Sequence, residues 1–179
     1  DLHSFPTRRS SDLRFFDGTN GLLVPLDDVF KSKGFVVEVR FMPTKAAAIG
    51  NLIAAEPPGS GVDGWQIRLS ETDVFFLERD VDLASEWVSH RIGEVSLNEW
   101  HTVRVKIYPS KSELGASYML QAVLDDAVSF DTKYDADLSN LRYGLGIAYD
   151  AMHQSAYGRK FFTGKIDYIR YGKIAESGL

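Results

Sequence analysis

Strict alternation of apolar and polar residues is the feature that most restricts what this chain can become. In FVVEVRF, residues 35–41, Phe35, Val37, Val39 and Phe41 share one face, and Glu38 and Arg40 lie opposite. WHTVRVKIY sets His101, Val103, Val105 and Ile107 together, with Thr102, Arg104 and Lys106 facing out. YMLQAVL does the same with Tyr118, Leu120, Ala122 and Leu124 against Met119, Gln121 and Val123. A period of two is the signature of half-buried antiparallel strands. Turn signals separate these runs at Asp17-Gly18, Asn20-Gly21, Lys33-Gly34, Pro57-Pro58-Gly59, Asp63-Gly64, Asp125-Asp126 and Tyr143-Gly144. Many short strands punctuated in this way specify an all-β sandwich or barrel, not alternating βα units. One stretch resists the pattern. KAAAIGNLIAAE, residues 45–56, is rich in helix-forming alanine, but Gly50 interrupts it and Pro57 ends it. It reads as a loop followed by a strand over Asn51–Ala55. A single helical turn is expected near Leu138–Leu141, and the ending KIAESGL reads as a frayed tail over residues 174–179.

Composition bounds the function. A chain of 179 residues suits one domain. Its formal charge of −5 repels phosphate backbones, and no basic patch is concentrated enough to bind nucleic acid. No apolar run reaches the length of a membrane span. The absence of cysteine removes disulfides, thiolate metal sites and thiol nucleophiles. No N-x-[ST] acceptor occurs, so covalent chemistry does not reveal the compartment.

Three stretches, in order, carry a resemblance: RFFDGTNGLLVPL with the strand GFVVEVRFMP; NEWHTVRVKI with the hairpin LQAVLDDAVSF; and FFTGKIDYIRY. Together they resemble the laminin-G-like jelly-roll domains of the concanavalin A-like lectin/glucanase superfamily. In that family a Phe-Asp-Gly turn ends the first strand, a Trp-His pair opens a central strand, and a small residue-Ile-Asp motif marks the last. The resemblance covers roughly residues 14–172 and places a laminin-G-like domain over residues 14–173. It implies a two-sheet antiparallel β-sandwich with a concave face and rims built from loops. The hairpin tip departs from the family, with Asp125-Asp126 where Asp-Gly is usual. Two aspartates can hold positive-φ positions at some strain. In the closing strand, Phe162, Ile166 and Tyr168 share one parity, whereas Ile169 and Tyr171 share the other. Either both faces are covered, or a bulge near Asp167 re-aims the chain.

Glucanases of this superfamily carry Glu-x-Asp-x-Glu on one strand, so that alternation gathers three carboxylates on one face. The nearest match is ERDVD, with Glu78, Asp80 and Asp82, whose third carboxylate is one methylene short. The alternative is a solvated strand edge running into a charged loop. No H-E-x-x-H, G-x-S-x-G or phosphate-binding glycine loop occurs. His90, His101 and His153 are scattered, and His101 has the parity of a buried, hydrogen-bonded imidazole. The resemblance also implies a structural Ca²⁺ between the Phe-Asp-Gly turn and the last strand. It nominates Asp17, the Gly18 carbonyl and Asp167, because calcium takes hard oxygens from several points around the ion. Otherwise Asp17 caps its own turn and Asp167 bonds a neighbouring amide. For ligand binding, Trp87 and Tyr157 are the aromatics least explained by alternation, while Trp65 and Trp100 read as packing.

The sequence therefore predicts a non-catalytic recognition or adhesion module for a glycan or an extracellular protein. The resemblance places it outside the cell or on its surface, as one domain of a larger protein. A glycoside hydrolase using Glu78, Asp80 and Asp82 is the alternative, and a structural spacer without ligand is another. The segment HSFPTRRSSDL, His3 to Leu13, fits none of this. Residue for residue it resembles a translated frame of a widely used sequencing adapter. Residues 1–13 are accordingly expected to be non-native and to pack on nothing, with a buried Phe5 as the contrary sign. Setting them aside leaves the charge at −5, since they hold two arginines and two aspartates. A native start upstream of Arg14 stays open.

Overall fold

A computed structural model describes residues 3–4, 14–32, 34–55, 64–79, 87–110, 117–134, 141, 144–148 and 161–174. The strands are β1 (His3–Ser4), β2 (Arg14–Asp17), β3 (Leu22–Val24), β4 (Phe35–Pro43), β5 (Ala47–Ala55), β6 (Gly64–Glu71) and β7 (Asp73–Arg79). They continue with β8 (Val88–Glu94), β9 (His101–Ser110), β10 (Ser117–Leu124), β11 (Ala127–Tyr134), β12 (Leu145–Ile147) and β13 (Thr163–Lys173). A 3-10 turn spans Asp28–Lys31. The strands form two sheets. One is seven-stranded, ordered β1-β13-β4-β9-β10-β11 with β2 also paired to β13; the other is six-stranded, ordered β3-β12-β5-β6-β7-β8. Every pairing within the two sheets is antiparallel.

The alternating residues do what their spacing requires. Phe35, Val37, Val39 and Phe41 are buried, as are Val103, Val105, Ile107, Leu120 and Ala122. Trp65, Ile67, Leu69, Val74 and Phe76 come from the six-stranded sheet to meet them in one hydrophobic core. Burying such side chains supplies the main drive for two sheets to stack. Of the two readings of the closing strand, the bulge is present: pairing with β4 shifts between Ile166 and Tyr168, leaving Asp167 as the extra residue. This is why Phe162 and Ile166 on one side of it, and Ile169 and Tyr171 on the other, all reach the core.

The hairpin tip also holds its two aspartates as expected, Asp125 at φ 48° and Asp126 at φ 66°. The Asp125 carboxylate repays the strain by accepting from the Thr102 amide at 2.7 Å and lying 2.6 Å from Nδ1 of His101. His101 is buried, with its Nε2 accepting from the Ser96 amide at 3.1 Å.

Four expectations need correction or comment. The strand read over Asn51–Ala55 begins at Ala47, because the ladder to β6 overrides the helix propensity of the alanines. Register shifts flanking Gly50–Asn51 and Ile53 absorb the misfit. The 3-10 turn at Asp28–Lys31 is new; Asp27 caps it by accepting from the Val29 amide at 2.9 Å. Of the turn expected near Leu138–Leu141, all but Leu141 lies outside the described residues. At the tail, Ile174 is not frayed: its amide donates to the Gly34 carbonyl at 3.1 Å. His3 and Ser4 pair with Tyr171 and Arg170, so these two do lie against the sheet, contrary to the expectation for residues 1–13. Phe5 lies outside the described residues.

Candidate functional site

The two outward faces carry different sets of polar and aromatic side chains. On the seven-stranded sheet, Glu38 is buried, accepting from Arg104 Nε at 2.6 Å and from the Tyr168 hydroxyl at 2.9 Å. Arg40 donates to Asp167 at 2.7 Å and its guanidinium lies 5.0 Å from the Trp100 ring centroid. Tyr108 and Gln121 both donate to Asp131. These groups spend their hydrogen bonds on one another. Burial, and then the Glu38 hydrogen bond, hold the Tyr168 phenol above its ordinary range; burial and Asp131 do the same for Tyr108. Below about pH 10 the phenol is neutral in both the folded and unfolded chain, so its contribution is complete. Above that the unfolded phenol ionises first, and the contribution is lost as pH rises through the folded value. Tyr168→Phe is therefore expected to flatten the alkaline loss of melting temperature, measured from pH 8 to about pH 11.

The outer face of the six-stranded sheet carries two rows of side chains set by register. Register places Asn51 beside Arg68, Arg68 beside Phe75, and Phe75 beside Arg91, in one row across four strands. In the next row Ala54, Gln66, Leu77 and Ser89 are neighbours. Leu77, Ala54 and Gln66 are buried although they stand outside the core cluster, so this part of the face is closed to solvent. Asn51 is 0 % exposed, and neither its Nδ2 nor its Oδ1 has a hydrogen-bond partner. Leaving a buried amide unbonded costs on the order of 1–3 kcal/mol. At one end of the face the Arg79 guanidinium sits 5.0 Å from the Trp87 ring centroid, and Trp87 is half-buried. Arg91 donates twice to Asp73 Oδ1, at 2.9 and 2.6 Å.

The residues nominated from sequence fare unevenly. Trp87 joins this face. Tyr157, Asp80 and Asp82 lie outside the described residues. Glu78 has the parity of Val74 and Phe76, so it is turned toward the layer between the sheets, where its Oε1 is 3.0 Å from His90 Nε2. His90 in turn faces Phe130 of the opposite sheet, ring centroids 5.7 Å apart. Asp17 is exposed and accepts from the Thr19 amide and hydroxyl at 2.8 and 2.7 Å, the hydroxyl bond first among the causes holding its carboxyl below the usual range. Asp17 pairs with Thr163, four residues from Asp167, so the two lie about 13 Å apart along the ladder. With Asp167 bonded to Arg40, an ion held by Asp17 and the Gly18 carbonyl has no second carboxylate from Asp167. Among the described residues no group of three or more His, Asp or Glu side chains is placed to hold a metal ion. Trp65 is fully buried in the core, as expected, and Trp100 packs under Arg40.

No protein-family profile and no curated protein matches the sequence. Solved structures do match in shape. The CBM40 of the Ruminococcus gnavus IT-sialidase superposes with a TM-score of 0.69 at 12% identity, over 92% of this chain and 92% of that one. The same module has been solved with α2,3 sialyllactose bound. Domain 4 of AbnA, a GH43 extracellular arabinanase from Geobacillus stearothermophilus in complex with arabinotriose, gives 0.68 at 11% identity, over 97% and 75%. The mouse laminin α1 domains LG4-5 give 0.59 at 15% identity, over 89% of this chain and 41% of that one. Identities this low establish the fold and nothing finer. The chain is a two-sheet antiparallel β-sandwich of the jelly-roll kind, a shape it shares with carbohydrate-binding modules and laminin G domains.

Proposed function

We propose that this chain is a non-catalytic recognition module that binds a glycan on the outer face of its six-stranded sheet. The observation that carries the reading is the set of half-buried outward side chains on that face, Arg68 beside Phe75 in register and Trp87 under Arg79, which places guanidinium groups next to aromatic rings. Sugars are recognised by that combination: apolar ring faces stack on aromatics, and hydroxyls bond to arginine. The modules of similar shape that hold arabinotriose and sialyllactose support the reading. A glucanase-type centre needs its carboxylates together on one open face, and Glu78 is turned inward to His90. We place the module outside the cell or on its surface, as part of a larger protein; no described helix is long and apolar enough to cross a membrane.

Trp87 closes one end of the face under Arg79. Trp87→Ala is expected to weaken the best signal on a glycan array by roughly tenfold, with little change in melting temperature. An array on which no glycan binds the unaltered chain counts against the reading and favours an extracellular protein as ligand.

A further inference from the structure

β8 is an edge of the six-stranded sheet, and its apolar pattern does little to fix where it sits. Of its seven residues only Ile92 is buried. Val88 is 45% exposed, Ser89 and Arg91 are exposed, and His90 is half-buried. Pairing with β7 shifts between Val74 and Phe75, which leaves Ile92 as an extra residue and uncouples residues 88–91 from residues 93–94. Beyond that break, a Cβ at Gly93 would lie 2.8 Å from Leu124, a contact that marks its own part of the strand. Residues 88–91 have no buried apolar side chain to mark their inner face. A slip of one residue turns every side chain of a strand to the other side of the sheet. A slip of two keeps the faces but moves each side chain about 7 Å along. Trp87 directly precedes this half, so its place under Arg79 depends on the register.

We infer that the Glu78–His90 pair sets the register of β8 and thereby positions Trp87. Glu78 stands opposite Val88, so its contact with His90 is diagonal, two residues along β8. The contact is 3.0 Å, and the two side chains are only 10% and 22% exposed. The His90 ring also faces Phe76 at 6.4 Å and Phe130 of the opposite sheet at 5.7 Å. A slip of one would carry His90 to the outer face. It would leave a buried carboxylate, already without a partner at Oε2, without the imidazole as well. The outward pair on the same strand is a weaker mark: Arg91 and Asp73 are 56% and 37% exposed, and exposed pairs hold little. A buried ion pair adds little net stability, and its best-attested use is to choose one arrangement over others. Glu78 and Arg79 are neighbours on β7, so the inner pair and the outer stack lie back to back on the same two strands. The consequence for affinity rests on the glycan reading above; the consequence for Trp87 does not.

The test is indole NMR of the whole chain, with a glycan array run on the same variants. Three tryptophans give three indole N–H resonances, and Trp87→Phe assigns the one that belongs to Trp87. Glu78→Leu is expected to split or broaden that resonance as β8 samples a second register, while Trp100, beside Arg40 across the sandwich, stays unmoved as the reference. The strongest array signal should fall about tenfold, as for loss of Trp87 itself. Glu78→Gln keeps an acceptor for His90 and should preserve both readouts. Glu78→Leu combined with His90→Leu should restore both, because an apolar residue at position 90 marks the inner face by alternation. His90→Ser erases the mark from the other strand, and it carries the same expectation if Glu78→Leu does not fold. A Trp87 resonance that stays single and in place in these variants overturns the inference. A double variant as disturbed as Glu78→Leu alone overturns it too. A blank array for the unaltered chain counts against the glycan reading and leaves the NMR result to decide the register.

Discussion

Gly164→Ala is expected to lower stability by about 3 kcal/mol or more, a fall of roughly 6–12 °C in melting temperature. Gly164 opens β13 with φ 155°, opposite Pro43 of β4 and Phe16 of β2. A Cβ there would press into the Met42 carbonyl oxygen, and would lie 2.6 Å from the Phe162 ring. The carbonyl belongs to the ladder that joins β13 to β4, so it cannot step aside without loosening the centre of the seven-stranded sheet. Phe162 is buried against the core and has no room to yield. Thermal melts of the two proteins check this, and an unchanged midpoint would show that β13 lies farther from β4 than described.

Trp65→Ala is expected to cost about 3–5 kcal/mol, a large share of the 5–15 kcal/mol that holds a typical domain together. Trp65 is 0 % exposed and packs against Phe30, Phe35 and Phe76, with ring centroids 5.3, 5.7 and 6.3 Å away. Its partners come from both sheets and from the 3-10 turn, so the cavity would open at the junction of all three. Trp65→Phe should cost much less. The indole Nε1 has no hydrogen-bond partner to lose, and most of the ring contact survives. Chemical denaturation of both variants measures the two costs. A small effect from the alanine would place Trp65 outside the core.

Alternation made the sheets legible because one face of each strand is core and the other is not. The β4, β9 and β10 residues read as inward are the ones found inward. The bulge was visible as a break in parity, and the double aspartate turn as a departure that the Asp125 carboxylate compensates. The start of β5 was not legible, since alanine and glycine carry little strand signal and only the ladder to β6 decides. The candidate site was less legible still. Asn51, Arg68, Phe75 and Arg91 are far apart in sequence, and only register makes them neighbours. A signal existed: Gln66 and Arg68 alternate with Trp65, Ile67 and Leu69, which marks them as outward. Spacing also does not reveal partners across strands: Glu38 is outward in the pattern, yet Arg104 and Tyr168 hold its carboxylate. The calcium trio shows the converse. Asp17 and Asp167 come from strands that do pair, but from opposite ends of that pairing.

The most direct measurement of the central claim is a glycan titration of the isotope-labelled chain, followed by backbone and side-chain amide NMR. A sugar that scores on the array is added until the shifts saturate. The account predicts that the largest changes fall on Trp87, including its indole N–H, and on Arg68 and Phe75. Changes centred on Glu38, Arg104 and Tyr168, across the sandwich, would contradict it.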